Sequence, residues 1–528
     1  AGVSGVGGAG KVRIGGVEIA VARNQLKTGA ALSYINLIIG NLIPLVYTPI
    51  MLRLLGQAEY GLYGIAQSIM GYIGLLNFGI GGTIIRYLSK YRAAGDRGRE
   101  ERVAGLFIKI YSVVCCLILA AGFLFAANLQ IYSRSLTADE VATLRVLVIL
   151  MTVNTAVFLP FSVFSSLVLA HERYVFHKLL GMLSSLAAPL LNLALLFCGF
   201  GSVGLVASST VLNFITYGSY TAYALRKLRI RPSFRRTEPG LLGEILKFSA
   251  FVFLASMVDV LYWSTDKLII GWALGAVATA VYNIGATFNT YVTGLSTAIS
   301  GLLVPRLTEM AVKDAPQERF SEIFIRVGRL QFIIVSFIVS AFVAFGRQFI
   351  ALWAGPGYEE AYYVALLTMV PVTVPLIQNT GLNILYALNK HQFRSMVYLG
   401  VAVANIALTF WWVERYGIIG AAAATCAAYV VGNIFIINWY YYKKIHIDIP
   451  LFWKNILRMS PVMLVMGTGA WFWMDCRTVD HWGTFFGWAA VYTVLYGVLS
   501  YFFMMNRYER DLCLTPVKKV VEKLCRRG

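Results

Sequence analysis

The sequence predicts an all-α membrane protein whose chain crosses the bilayer about fourteen times. Three observations lead to this fold class. Hydrophobic residues make up 58% of the 528 residues and charged residues only 13%, so the apolar side chains exceed what one soluble core could bury. They fall into runs of about 20 residues, the length that crosses a hydrocarbon layer of ~30 Å. Short polar or basic connections separate these runs.

The predicted spans place both ends of the chain on one side of the membrane. They lie near residues 29–52, 60–85, 104–127, 142–167, 177–199, 203–225, 247–272, 280–304, 328–346, 361–387, 395–413, 417–440, 457–474 and 483–505. Most of the 45 Lys and Arg residues lie in the termini and in the connections on the same side as the termini. The opposite connections hold only Arg53, Arg134, Arg145, Arg347, Arg415 and Arg477. This asymmetry predicts that both termini are cytoplasmic.

The charge and the reactive residues exclude several classes of protein. The formal charge of +20 lies between hydrophobic runs, which indicates topology and contact with anionic lipid rather than a nucleic-acid partner. The seven cysteines form no C-x-x-C pair and the five histidines are scattered, so no metal site is predicted. Residues 5–11 imitate a phosphate-binding loop, but Val12 replaces the Ser or Thr that would hold magnesium. We therefore expect neither catalytic residues nor a bound cofactor, and no enzyme activity.

The first two spans contain the most distinctive stretch of the sequence. Helix breaks are expected near Pro44 and Pro49, because proline removes a backbone donor. A turn is expected over residues 55–61. Pro49, the run Arg53-Leu54-Leu55-Gly56 and the run Glu59-Tyr60-Gly61-Leu62-Tyr63 follow in that order.

This stretch resembles the opening signature of the polysaccharide transporter family, which includes the Wzx-type O-antigen flippases of the MOP exporter superfamily. The resemblance implies a MOP/MATE-like fold with a central cavity between two lobes, lined largely by spans one, two, seven and eight. It also implies a substrate, an oligosaccharide linked to a polyprenyl diphosphate, whose lipid tail stays in the bilayer.

An internal repeat predicts two pseudo-symmetric lobes of six helices and two extra helices. At an offset of 219 residues, Leu55-Gly56 falls on Leu274-Gly275, and with small shifts Gly201 and Gly204 match Gly417 and Gly420. The predicted segments are a cytoplasmic N-terminal segment 1–28, an N-lobe 29–227, a linker 228–246, a C-lobe 247–441, spans thirteen and fourteen within 442–505, and a basic cytoplasmic tail 506–528.

Acidic residues inside a span are candidates for function, because each costs about 2.5–3.5 kcal/mol to insert. Asp259 lies about halfway along span seven, and Asp266 and Lys267 lie toward its outer end. The two acids are seven residues apart, so they fall near one helix face, whereas adjacent Asp266 and Lys267 point about 100° apart. The acids could couple transport to a cation or contact sugar hydroxyls. The alternative is a structural hydrogen bond or ion pair.

Arginines and amides are the other candidate substrate contacts. Arg86 and Arg306 end spans two and eight at near-equivalent places in the repeat, where their planar groups could receive a diphosphate. Ordinary topology anchors are the alternative. Arg53, at the outer end of span one, is a weaker candidate for substrate release. Asn41 and Asn283 belong to spans expected to face the cavity, although most amides in bundles join helices.

Together with these patterns, the resemblance implies a flippase that moves a lipid-linked oligosaccharide across the bacterial cytoplasmic membrane by alternating access, coupled to Na⁺, H⁺ or the membrane potential. A polymerase or glycosyltransferases are possible partners. A cation-coupled multidrug antiporter of the same superfamily is the first alternative, and such a protein should have an acid-rich cavity. A membrane glycosyltransferase or polymerase is the second, but it would need larger outward loops than this chain has.

Overall fold

A computed structural model describes residues 13–14, 17–18, 39–235 and 240–512 of the chain, apart from 302, 314, 389, 391, 478 and 480. Near the N-terminus, strands β1 (Arg13–Ile14) and β2 (Val17–Glu18) pair antiparallel, with Arg13 opposite Glu18. The start of the first predicted span and residues 513–528 of the predicted basic tail lie outside the described residues.

Helices make up nearly all of the remaining described chain. In the first half they are α1 (Ile39–Leu55), α2 (Gln57–Gly74), α3 (Ile80–Ala93), α4 (Arg97–Ala127), α5 (Ala138–Phe158), α6 (Ser162–Ala170), α7 (Tyr174–Phe197), α8 (Gly201–Tyr223) and α9 (Leu241–Leu274). In the second half they are α10 (Ala276–Gly301), α11 (Val304–Val312), α12 (Gln317–Trp353), α13 (Ala361–Ile377), α14 (Asn379–Ala387), α15 (Gln392–Tyr429), α16 (Asn438–Lys443), α17 (Ile449–Asp475) and α18 (Trp482–Leu499). Short 3₁₀ segments cover Leu75–Asn77 and Leu129–Arg134, and π-helical segments cover Ala224–Leu228, Val430–Ile437 and Ser500–Met504.

The helices confirm the predicted all-α membrane fold. Among the described residues, eight helical stretches are long and apolar enough to cross a membrane, or nine if the pair α13 and α14, bent by 44°, forms one span. The chain is therefore a multi-pass membrane protein. The number of fourteen spans stays a prediction, although each predicted span overlaps helices in the described chain.

The predicted helix breaks at Pro44 and Pro49 are wrong. Helix α1 continues through both prolines, because the fixed φ of proline is compatible with a helix and a missing donor is tolerated in membrane helices. The predicted turn is shorter than expected, since α2 already begins at Gln57. The break occurs instead between α2 and α3, where Phe78 and Gly79 have φ values of 50° and 65°.

The chain divides into two compact units, residues 1–260 and 261–528, and the boundary lies within α9. In the first unit, α4 packs against α5 and α7 against α8. In the second unit, α12 packs against α17 and α10 against α13, and the rings of Phe324 and Phe452 lie 4.9 Å apart in its core. The predicted lobe and linker boundaries stay predictions.

Glycines that match in the internal repeat have matching backbone conformations. Gly56 and Gly275 precede α2 and α10 with φ values of 80° and 92°, and Gly201 and Gly417 have 54° and 61°. Glycine is favoured at such positive φ values because it has no Cβ. Gly417 kinks α15, so that the helix changes direction there.

Glu59, one of the residues that carry the family resemblance, holds the start of α8. Its carboxylate accepts a hydrogen bond from the backbone N–H of Ser202 at 2.7 Å. A negative charge is stabilising at a helix N-terminus. The motif therefore fixes α2 against the beginning of α8 within the first unit.

Gly285 allows close contact between α10 and α13, and its replacement tests that packing. A Cβ at this position would lie 2.7 Å from the Val364 Cβ and 2.8 Å from the Ala361 carbonyl oxygen. We expect Gly285→Ala to destabilise the protein by about 1–3 kcal/mol through overpacking. Thermal unfolding of the purified protein measures the effect. Gly294→Ala, on the same helix with open space around the new methyl group, is the control, and equal melting temperatures for the two variants would contradict the packing.

Candidate functional site

Asp266 of α9 is a buried acid of the second unit whose carboxylate accepts hydrogen bonds from four side chains. Only 3% of the residue is exposed. Its Oδ2 accepts a hydrogen bond from the Tyr282 hydroxyl of α10 at 2.7 Å and another from the Thr425 hydroxyl of α15 at 2.7 Å. Its Oδ1 accepts from Asn405 Nδ2 at 3.2 Å and from the Thr409 hydroxyl at 3.1 Å. Four donors thus surround one carboxylate.

The kink in α15 makes this arrangement possible. Asn405 and Thr409 are one helical turn apart before Gly417, and Thr425 follows it. Because the backbone bends at Gly417, both segments of α15 reach the same carboxylate. Helices α9, α10 and α15 therefore meet at Asp266.

The four donors at this site are uncharged hydroxyls and an amide, so no positive side chain among them neutralises the carboxylate. Hydrogen bonds to a charged group contribute about 1.5–3 kcal/mol each, so four of them offset part of the cost of burying a carboxylate. The Thr425 and Thr409 hydroxyls also lie 3.3 and 3.4 Å from Asn405 Oδ1, and the Thr425 hydroxyl lies 3.2 Å from the Ala421 carbonyl oxygen. This cluster of oxygen atoms suits a hard cation such as Na⁺, or a proton on the carboxyl group.

Among the residues that the structure describes, no group of three or more His, Cys, Asp and Glu side chains could hold a metal ion. The Asp266 cluster contains one carboxylate, and its other oxygens come from hydroxyls, an amide and the backbone. Its ligand chemistry therefore differs from that of a zinc or iron site.

The other residues predicted in or beside span seven have different surroundings. Asp259, seven residues before Asp266 on α9, is exposed. Lys267 is half-buried. Asn283 of α10 is buried, and its backbone carbonyl accepts a hydrogen bond from the Thr287 hydroxyl at 2.7 Å. The substrate role of these three residues stays a prediction.

The predicted residues of the first unit lie on exposed positions. Asn41 and Arg53 are exposed near the two ends of α1. Arg86 is exposed on α3, and its guanidinium carbon lies 4.8 Å from the centre of the Phe248 ring. A guanidinium group that stacks on a ring keeps its donors in the plane of the group, where they can still meet an anion.

Arg306 lies in a basic patch of the second unit. It is exposed on α11 and borders a cavity of about 450 Å³. The charged residues lining this cavity are Arg306, Glu309, Lys313, Arg319, Glu322 and Arg326. Glu309 pairs with Lys313 at 2.6 Å and Glu322 with Arg326 at 2.9 Å. Four basic and two acidic side chains line this cavity, so its lining carries a net positive charge.

Sequence reasoning missed the partners of Asp266. The sequence alone connected none of Tyr282, Asn405, Thr409 and Thr425 with this carboxylate. The spacing of Asn405 and Thr409 places two polar side chains on one face of an apolar helix. That spacing was a usable signal, but the convergence on Asp266 depends on tertiary structure.

A match to a protein-family model identifies the family of this chain. The sequence profile described as "Polysaccharide biosynthesis protein" matches residues 26–311, more than half of the chain. The chain belongs to this family. The resemblance seen in the opening signature is confirmed.

Two bacterial proteins are similar to this chain along most of its length. A protein of Shigella flexneri named as an O-antigen transporter is 19% identical over 400 residues, covering 74% of this chain and 91% of that protein. A protein of Escherichia coli (strain K12) with the same name is 22% identical over 420 residues, covering 76% of this chain and 94% of that protein.

The solved structures show the fold. The inward closed conformation of the lipid II flippase MurJ has a TM-score of 0.69 at 13% identity, covering 92% of this chain and 99% of that one. An inward-facing multidrug resistance MATE family transporter of the MOP superfamily has a TM-score of 0.59 at 15% identity, covering 79% and 96%. The predicted MOP/MATE-like fold is therefore confirmed.

Proposed function

We propose that this member of the polysaccharide biosynthesis protein family is a flippase for an oligosaccharide linked to a polyprenyl diphosphate. The observation that carries the proposal is the family match over residues 26–311. Two relatives named as O-antigen transporters also match this chain along most of their length. The many apolar helices provide the membrane-embedded scaffold that such transport requires.

The protein would act in the bacterial cytoplasmic membrane with both termini in the cytoplasm. The distribution of basic residues supports this orientation. Glycosyltransferases would supply the substrate on the inner leaflet, and a polymerase would consume it outside. The expected partners are therefore the lipid-linked oligosaccharide, the membrane lipids around the protein and these enzymes of glycan synthesis.

The basic residues supply attraction for the diphosphate. Arg86 stacks on Phe248 in the first unit, and Arg306 borders the basic cavity of the second unit. Guanidinium groups bind phosphate oxygens through two parallel hydrogen bonds, which a lysine cannot reproduce. Each arginine is a candidate contact for the diphosphate.

The Asp266 cluster would supply the energy coupling. Na⁺ binding or protonation at Asp266 would neutralise its carboxylate and change the hydrogen bonds that join α9, α10 and α15. One elementary charge moving through 100 mV of membrane potential releases about 2.3 kcal/mol. Alternating access would use this energy to favour one conformation over the other.

A cation-coupled multidrug antiporter is the second candidate, because the buried Asp266 is the kind of acid that such a protein uses. Complementation distinguishes the two. Cells that lack their own O-antigen flippase and express this chain with its matching glycan enzymes should display the glycan on their surface. Resistance to cationic drugs without surface glycan would support the antiporter instead.

Arginine replacements test the diphosphate contacts in the same cells. We expect Arg86→Ala or Arg306→Ala to lower surface glycan about tenfold, and the double variant to lower it further, because a charge-assisted contact of about 1.5–3 kcal/mol is lost with each arginine. Quantitative lectin staining measures the glycan, and blotting of membranes checks insertion.

The matched control for these replacements is Arg347→Ala, which removes an exposed arginine that pairs with Asp475 at 3.2 Å. It should leave surface glycan unchanged. Normal export by the Arg86→Ala/Arg306→Ala double variant would remove the proposed diphosphate contacts.

A further inference from the structure

A second polar cavity lies within the first unit, apart from the Asp266 cluster and the two arginines. It has a volume of about 520 Å³ and is lined mainly by side chains of α2, α5 and α8, with Leu159 and Ser162 from the start of α6 and the turn before it. This size lies within the range of small-molecule sites, about 300–1,000 Å³. Helices that only pack against each other fill such space with side chains. The cavity therefore needs an explanation beyond helix packing.

Amide side chains form a connected network at this cavity. Asn154 of α5 donates from Nδ2 to the Ser209 hydroxyl of α8 at 3.0 Å. Asn213 of α8 donates from Nδ2 to Asn154 Oδ1 at 2.9 Å. An amide can make up to four hydrogen bonds, so these contacts orient both side chains and leave donor and acceptor positions for a ligand. Gln67 of α2 adds a third amide to the lining.

Aromatic rings form another part of the lining. The rings of Phe158 and Tyr217 stack with centroids 5.6 Å apart and an interplanar angle of 16°. Tyr63 of α2 also lines the cavity. Apolar ring faces beside a few oriented amides and hydroxyls match a ligand with one apolar face and several hydroxyl groups.

Charge is absent from the described residues that line this cavity. Every lining side chain is an amide, a hydroxyl, an aromatic ring, a methionine or an aliphatic group. A diphosphate or an organic cation would lose its hydration here without gaining a countercharge, which is costly in a membrane protein. An uncharged polyol gains hydrogen bonds without this cost.

We propose that this cavity binds an uncharged pyranose ring of the glycan headgroup. The inference rests on the proposed flippase function for its substrate class and adds the residues that recognise the sugar. Asn154, Asn213 and Gln67 would hydrogen-bond the hydroxyls, while Phe158 and Tyr217 would contact the apolar ring face. The arginines would hold the diphosphate elsewhere on the chain.

Equilibrium dialysis tests the proposal on the full-length protein in lipid nanodiscs. The probe is the radiolabelled oligosaccharide released by mild acid from the host's lipid-linked pool and freed of phosphate. We expect saturable binding that Asn213→Leu weakens at least tenfold, because leucine keeps the volume and removes the hydrogen bonds. Gln67→Leu, on a different helix, should weaken binding as well and serves if Asn213→Leu does not fold.

The matched control is Ser184→Ala, which removes the 2.9 Å hydrogen bond between Ser184 and Thr216 that joins α7 and α8 without lining the cavity. It should bind the oligosaccharide like the unmodified chain. Neither pyrophosphate nor tetraphenylphosphonium should displace the oligosaccharide from the cavity. Absence of saturable binding, unchanged binding in both leucine variants, or displacement by tetraphenylphosphonium would overturn the proposal.

Surface glycan in cells separates failure of this proposal from failure of the proposed function. If the unmodified chain exports glycan but its oligosaccharide binding does not depend on Asn213 or Gln67, the sugar site is wrong and the flippase function stands. If the unmodified chain exports no glycan, the proposed function itself fails.

Discussion

Replacing Asp266 with Asn is expected to abolish the dependence of transport on an ion gradient while the protein stays folded. The change removes the negative charge but keeps the shape and an acceptor for Asn405 and Thr409. The Tyr282 and Thr425 hydroxyls can rotate to accept from the new amide. We expect gradient-driven transport to fall at least tenfold, which corresponds to about 1.4 kcal/mol of coupling. Proteoliposomes with imposed Na⁺ or pH gradients provide the measurement.

Two further variants make this result specific. Asp266→Ala leaves four donors without their acceptor, and each unsatisfied buried group costs about 1–3 kcal/mol, so this variant should also unfold at a lower temperature. Asp475→Asn removes an exposed carboxylate that pairs with Arg347 at 3.2 Å and should transport normally. Full gradient dependence in Asp266→Asn would contradict the coupling role.

Breaking the buried ion pair between Arg329 and Glu509 is expected to cause a large loss of stability. Two parallel hydrogen bonds of 2.7 and 2.8 Å join the guanidinium to the carboxylate. Arg329 also donates to the Met504 carbonyl oxygen at 3.0 Å and to Asn455 Oδ1 at 3.2 Å. The side chains are only 9% and 1% exposed, respectively. The pair therefore joins α12 and α17 to the segment after α18.

Glu509→Ala leaves the Arg329 charge buried without its partner, which typically costs about 3–5 kcal/mol. We expect a lower melting temperature for the purified protein and faster proteolysis near its C-terminal end. Arg347→Ala breaks an ion pair whose side chains are 59% and 46% exposed, and exposed pairs contribute about 0–1 kcal/mol. This variant is the surface control.

A double variant separates the cost of an unpaired charge from the value of the pair. Arg329→Met with Glu509→Leu removes both charges and should recover most of the stability that Glu509→Ala loses, because apolar replacements of buried ion pairs are often neutral. A Glu509→Ala variant as stable as the Arg347→Ala control would contradict the structural role of the pair.

The features that depend on local sequence were predictable. Apolar runs predicted the helices, and the internal repeat matched Gly56 with Gly275, whose φ values of 80° and 92° agree. The prolines of α1 misled the prediction, since proline predicts a break only where neighbouring groups cannot tolerate the missing donor. Local sequence therefore predicted where the helices lie better than where they break.

The features that depend on distant contacts were not predictable. Asp266 was identified as an acid inside a span, but its partners Asn405 and Thr425 are 139 and 159 residues away. Arg329 and Glu509 are separated by 180 residues, and nothing in either local sequence indicates the other. Asn154 and Asn213 lie within predicted spans, where most amides join helices, and the cavity between them and their neighbours is a property of packing.

Translocation of a lipid-linked oligosaccharide by the purified chain tests the central claim most directly. Liposomes would contain the protein and a fluorescent polyprenyl-diphosphate oligosaccharide loaded on one leaflet, and a membrane-impermeant glycosidase would report its arrival on the other. The flippase account predicts exposure well above that in protein-free liposomes, faster under an ion gradient and lost in the Arg86→Ala/Arg306→Ala variant. Exposure equal to that in protein-free liposomes, with transport of an organic cation by the same preparation, would contradict it.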